Sequence, residues 1–166
     1  GEPKRVVVFC DRRDKDDEGQ TPTAQGVTKA IEALAKGDRK KDRPKTDIEE
    51  PVLLVGARRG RERKKAADRL GALGFTGEPK AVNKPTFLIA TSAGEVGVDI
   101  DADHMVSDLV PWERMVQRLG RVNRKGNGAA EACVFWSEPT VKKADAPTPA
   151  ERRAAIAHRV LGLIRR

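Results

Sequence analysis

Gln117, Arg121 and Arg124 stand at i, i+4 and i+7 in the stretch MVQRLGRVNRKG, residues 115–126. On a helix turning about 100° per residue they fall on one side, while Met115, Val116, Leu119 and Val122 fall on the other. The result is an anchored helix presenting a polar triad, a carboxamide and two permanently charged guanidiniums. The plainer reading is a solvated basic face, the usual fate of charged helical residues. Upstream, ATSAGEVGVDI (90–100) groups Thr91, Ser92, Gly97 and Asp99. Small hydroxyl residues and glycines at a strand end let backbone approach a phosphate and offer it N–H and O–H donors. Asp99 suits a sugar hydroxyl or a bound water. A tight strand-to-helix turn with a capping serine explains this segment equally well by itself. A third segment, VGARRGRER (55–63), carries Arg58, Arg59, Arg61 and Arg63. Arginines at a helix start make a natural phosphate site, although such a run is more often a solvated helix end.

Elements that can hold these residues follow from the apolar pattern. The runs at 4–10, 51–56, 86–90, 103–110 and 131–136 read as strands, apolar and rich in β-branched residues. Between the first two, Asp11–Gln20 reads as a loop. Thr21-Pro22 opens a helix with Val27, Ala30, Ile31 and Leu34 on one stripe, closed by Gly37. Residues 37–50 read as an exposed charged loop. A second helix is expected over 60–72, burying Ala66, Ala67 and Leu70. Pro111 suits the first turn of a third helix and Gly126-Asn127-Gly128 its exit. A capping box, Thr148-Pro149-Ala150-Glu151, opens a last helix over 148–166. Continuous apolar strands alternating with helices predict an α/β fold: an open, mainly parallel sheet with helices on both faces. In such sheets ligands bind beyond the carboxyl ends of the strands, where the segment 90–100 begins.

Composition narrows the class. The chain has 166 residues, the size of one domain, and a net charge of +8 with a pI near 9.8. That balance favours a polyanionic partner such as nucleic acid or nucleotide phosphate. Cys10 and Cys133 form no framework, which points to a reducing, cytoplasmic setting. His104 and His158 are the whole histidine supply, so no metal site is expected. The acids Asp101, Asp103, Asp108 and Glu113 read as loop solvation and helix-start charges. Trp136 reads as core and Trp112 as packing, with a role at an interface left open. No apolar run approaches the roughly 20 residues of a membrane span.

ATSAGEVGVDI followed by QRLGRVNR resembles motifs V and VI of superfamily 2 helicases, in the second of their two RecA-like lobes. The stretch AGEVGVDIDADHMVSDLVPWERMVQRLGRVNRKG is similar, more narrowly, to the helicase–nuclease effector of type I CRISPR systems, in particular its U subtype. The resemblance runs from Arg5 to Trp136 and is diagnostic over 90–126. It implies ATP in the cleft between the lobes, with Mg²⁺ held mainly by the first lobe, and nucleic acid across the top of both. Arg124 matches the arginine finger, Arg121 a second arginine toward the γ-phosphate, and Gln117 a residue that senses nucleotide and links the lobes. Gly97 and Asp99 match the nucleotide side of motif V, Thr91 and Ser92 its nucleic-acid side. VVVFCDRR resembles motif IV in position, and the arginines at 58–63 match the basic segment that follows it. Arg118, pointing between the two helix faces, is read as structural.

The partners implied are single-stranded DNA, the first RecA-like lobe and a nuclease domain of a parent chain, and an RNA-guided CRISPR surveillance complex. The chain carries no G-x-x-x-x-G-K-[ST] phosphate loop, no acidic Mg²⁺ motif and no histidine–aspartate cluster. Residues 1–166 are therefore expected to be one lobe, a piece of a larger helicase–nuclease, unable alone to hydrolyse ATP efficiently or cut DNA. Two other readings stay open: the same lobe of another superfamily 2 DNA or RNA helicase, and a non-enzymatic basic nucleic-acid-binding domain.

Overall fold

A computed structural model describes residues 2, 4–14, 22–37, 45–56, 60–78, 80–126 and 128–136. The expected helix at 148–166, residues 38–44 of the charged loop, and Arg58 and Arg59 lie outside the described residues.

Five strands, β1 (Arg5–Phe9), β2 (Val52–Leu54), β3 (Thr86–Ala90), β4 (His104–Asp108) and β5 (Ala132–Phe135), form one sheet in the order β2-β3-β1-β4-β5. Every pairing is parallel. Alternation along β1 divides the core. Val7 and Phe9 face the side covered by Leu70 of α2 (Gly60–Ala72) and Met115 of α3 (Trp112–Leu119). Val8 and Cys10 face the side covered by Ala24 and Ile31 of α1 (Ala24–Lys36). Helices on both faces follow from strands apolar on both sides. Each fully buried side chain such as Phe9 or Leu88 (0% exposed) contributes about 1.5–3 kcal/mol.

The helices depart from the pattern in instructive ways. The first helix starts at Ala24, not at Pro22, because the Thr23 hydroxyl accepts the Gly26 N–H and caps it there. Its buried face is Ala24, Thr28 and Ile31, and Ala30 and Leu34 stay exposed. On α2, Ala66 and Leu70 are buried as expected, but Ala67 is exposed.

The third helix is shorter than its pattern. It ends at Leu119, where Gly120 takes the cap and its N–H returns to the Val116 carbonyl. The chain then turns through Asn123, in the left-handed region at φ 46°. Val122 bridges to Ala102, the Ala102 N–H donating to Arg121 and the Asn123 N–H donating to Ala102. Arg121 and Arg124 thus lie beyond the helix, not on one helical face with Gln117. Its buried residues are Met115 and Arg118, while Val116 and Leu119 are 45% and 41% exposed. Trp136 lies one residue past β5 and is half-exposed, not core.

Candidate functional site

The carboxyl ends of β1, β3 and β4 lie side by side, with α3 packed across them. Past β3 the chain makes a short 3₁₀ turn, Ser92–Gly94, that carries it sharply off the sheet. Gly94 is required there: a Cβ would stand 2.7 Å from that of Ala90 and 3.2 Å from the Phe9 ring. Thr91 is buried, its N–H donating to the Leu54 carbonyl, whereas Ser92 is exposed. Beyond Glu95 the loop is mostly exposed until Ile100, with Val98 packing partly against the core. Gly97 has φ 84°, which favours glycine, and open space where a side chain would stand.

Arg118 occupies the middle of this junction at 0% exposure. Its Nε donates to Glu95 Oε1 at 2.8 Å and its Nη1 to Ser107 Oγ at 2.8 Å. The same Nη1 donates to the Asp108 carboxylate and, at 3.1 Å, to the Asp108 carbonyl. Its Nη2 is buried without a hydrogen-bond partner, and the guanidinium carbon sits 5.1 Å from the centre of the Phe9 ring. Arg114, one turn earlier on the same face, grips Glu95 with two bonds, Nε to Oε2 at 3.0 Å and Nη2 to Oε1 at 2.7 Å. Its Nη1 reaches Asp11 after β1, and the Asp11 N–H donates to Asp108. Two cations and three carboxylates therefore tie three strand ends to one helix.

The charges tune one another. Burial alone would push the Glu95 carboxyl up, but hydrogen bonds and charge from Arg114 and Arg118 outweigh it and hold Glu95 below the usual carboxylate range. At Asp108 burial wins, and the carboxyl stays above its usual value despite Arg118. Burial, with the Asp108 charge added, pushes the Cys10 thiol up to about 11. Its hydrogen bond to Glu95 raises Arg114, so this guanidinium is permanently charged.

Two of the arginines singled out by the sequence sit at the rim. Arg121 donates to the Glu95 carbonyl, from Nη2 at 2.7 Å and Nε at 3.2 Å. The Arg124 N–H donates to Asp101 at 3.0 Å, and its guanidinium pairs with Asp99. Gln117 is exposed on α3. Both arginines meet the loop that follows β3, Arg121 at Glu95 and Arg124 at Asp99 and Asp101, just ahead of β4 and so toward the amino ends of the strands. Arg61 and Arg63 lie on α2, which follows β2.

The sequence reading missed Glu95 and misjudged the acids. Asp108 is buried and Asp103 partly so, and both are paired: Asp108 receives Arg118, and Asp103, at the other end of β4, receives Arg5. Their signal was available only in part, as Arg114 and Arg118 four residues apart on one helix face. Among the described residues no group of three or more His, Cys, Asp or Glu side chains gathers as a metal site. No helix among them is long and apolar enough to cross a membrane.

Residues 22–127 match the family described as CRISPR-associated nuclease/helicase Cas3, C-terminal. Over 47 residues, 28% of this chain, it is 43% identical to a putative CRISPR-associated nuclease/helicase Cas3 of Methanocaldococcus jannaschii, of which that stretch is 6%. The crystal structure of T. fusca Cas3 superposes on 99% of this chain with a TM-score of 0.62 at 20% identity, using 18% of its own length. Its Cas3-ADP form does so with a TM-score of 0.61 at 19% identity, over the same shares of the two chains. A chain of a CRISPR RNA-guided surveillance complex, pre-nicking, matches 98% of this chain with a TM-score of 0.57 at 21% identity, again over 18% of its own length. These structural likenesses establish a shared fold, and this chain spans under a fifth of the length of the proteins it matches. The family match covers more than half of the chain, including the segments at 90–100 and 115–126: the chain belongs to the C-terminal domain family of CRISPR-associated nuclease/helicase Cas3, as a RecA-like helicase lobe.

Proposed function

We propose that this lobe is the second half of an ATP-driven single-stranded DNA motor, supplying the arginine finger to nucleotide held mainly by a first lobe. The observation that carries the reading is the meeting of both arginines with the loop 95–99, Arg121 on the Glu95 carbonyl and Arg124 on Asp99. Two guanidiniums and an open glycine at position 97 suit a triphosphate, and Gln117 is exposed on α3. Arg124 would release Asp99, which is 79% exposed, and turn to the γ-phosphate, where a fixed positive charge stabilises the transition state. Arg121 would face the same phosphate and Gln117 would link the lobes. Mg²⁺ would be held by carboxylates of the first lobe.

Thr91 and Ser92, with Arg58, Arg59, Arg61 and Arg63, are assigned to the DNA backbone, consistent with a net charge of +8. The parent would join this lobe to a nuclease domain and act with an RNA-guided surveillance complex. The test is ATP hydrolysis with and without single-stranded DNA, by this chain alone, by the protein with both lobes, and by its Arg124→Ala variant. The expected results are a silent chain, a DNA-stimulated pair and a loss of about 10³-fold or more in the variant. A variant that hydrolyses ATP as fast as its parent would reduce this surface to a basic patch.

A further inference from the structure

Between Gly94 and Ile100 the motif V loop has one buried residue, Glu95, at 5% exposure. Its neighbour Val96 is 70% exposed, and Gly97 and Asp99 are exposed as well. Glu95 is thus the loop's buried anchor, with Val98 packing only partly against the core. It is held at both ends of the residue. The carboxylate accepts three bonds, from Arg114 Nε, Arg114 Nη2 and Arg118 Nε, at 2.7–3.0 Å. The backbone carbonyl accepts the Arg121 guanidinium at 2.7 and 3.2 Å. One residue therefore contacts three arginines of the segment that follows, two through its side chain and one through its main chain.

We propose that Glu95 is a positioning residue for ATP hydrolysis: its carboxylate, clamped by Arg114 and Arg118, fixes the carbonyl on which the Arg121 guanidinium rests, and so aims Arg121. The inference rests on the reading that Arg121 faces nucleotide. Charge and geometry both support it. A carboxylate with two guanidinium partners in a buried junction gives short, directional bonds. A carbonyl that accepts two N–H groups of one guanidinium fixes the plane of that fork as well as its place. An error of about 1 Å at a charge-stabilising group costs up to about 10²-fold in rate. Anchoring the loop at Glu95 keeps Arg121 in register with α3, while Asp99, 79% exposed, is held only by the rim pair with Arg124.

The experiment compares ATP hydrolysis by the two-lobe protein and its Glu95→Gln, Arg121→Ala and doubly substituted variants. Glu95→Gln keeps the shape but not the charge. It is expected to lower kcat about tenfold, with the KM for ATP unchanged, because aim and not binding is lost. The double variant is expected to be no slower than Arg121→Ala alone, because Glu95 acts through Arg121. Losses that multiply would show that Glu95 acts elsewhere and would overturn the proposal, as would a Glu95→Gln protein with wild-type kcat. Active Arg121→Ala would overturn the underlying assignment instead, so the two failures are distinct. If Glu95→Gln does not fold, Arg114→Gln serves: its side chain is 32% exposed, and the Arg118–Asp108 pair remains beneath it. It is expected to lower kcat about threefold with its thermal midpoint near that of the parent, again with no further loss on Arg121→Ala. Wild-type kcat in that variant counts against the proposal.

Discussion

Two buried arginines mark the two ends of the sheet, and they are built differently. At the amino end, Arg5 of β1 answers one carboxylate. Its Nε and Nη2 donate to Asp103 at 3.2 and 2.8 Å, its own N–H adds a third bond at 2.7 Å, and Nη1 goes to the Gly74 carbonyl. That pair is closed, with every guanidinium nitrogen satisfied. At the carboxyl end, Arg118 shares Glu95 with Arg114, shares Asp108 with the Asp11 N–H, and leaves one nitrogen without a partner. A closed pair pins two segments together. An open network makes the position of each loop depend on the others, which is useful where loops must answer a ligand.

The largest effect expected from breaking this contrast is at Arg118. Arg118→Met leaves Asp108 and half of the Glu95 grip without their partner in a buried site, which costs about 3–5 kcal/mol. Denaturant unfolding of the parent and variant chains measures it, and a change below about 1 kcal/mol would mean the network carries little stability. Arg5→Met should cost less, about 2 kcal/mol, because the side chain of Asp103 is 28% exposed and water can take over its bonds. The order of the two losses is the test: Arg5→Met as the worse substitution would reverse the comparison.

The pH response sharpens the contrast further. Burial would raise Asp103, but Arg5 outweighs it and holds the carboxyl below its usual range, as Arg114 and Arg118 do for Glu95. Each contributes stability above the ordinary carboxylate value of about 4, lost as pH falls through its lowered folded value. Asp108, raised by burial, runs the other way: protonation favours the folded state, so it offsets part of the acid loss. Thermal midpoints followed from about pH 6 to 3 should fall less steeply in Asp103→Asn and more steeply in Asp108→Asn. Identical slopes in the two variants would remove the electrostatic difference between the ends.

The smallest effect expected is chemical. Cys10, fully buried beside Asp108 with its thiol pushed up to about 11, should resist a thiol reagent at neutral pH, while exposed Cys133 reacts. Counting labelled thiols before and after unfolding checks this. Fast labelling of Cys10 in the folded chain would show that the carboxyl end opens readily.

The parallel sheet was legible because β-branched runs such as RVVVF and TFLIA have few other fates. The segments at 90–100 and 115–126 were legible as a pair through residue type and spacing. The end of α3 was not. Periodicity continued through Val122 and Arg124, but the Gly120 turn and the pairing of Val122 with Ala102 took precedence, a tertiary hydrogen bond overriding a local pattern. Nor was the burial of Val116 and Leu119, expected from amphipathicity, realised. The surface beneath α3 offers Ser107, Asp108 and Glu95, so the helix turned its arginines inward and its aliphatic side chains out.

Composition and pattern by themselves determined a basic α/β fold, its five described strands and the two segments on which the proposed chemistry rests. Between 114 and 124 the sequence offers four arginines of one chemical type, at Arg114, Arg118, Arg121 and Arg124. Which is buried, which is shared and which is left at the rim depends on the carboxylates and carbonyls that distant strands bring beneath each one. A guanidinium's environment is set by neighbours as far as 103 residues away, such as Asp11 for Arg114, and only the tertiary structure decides it.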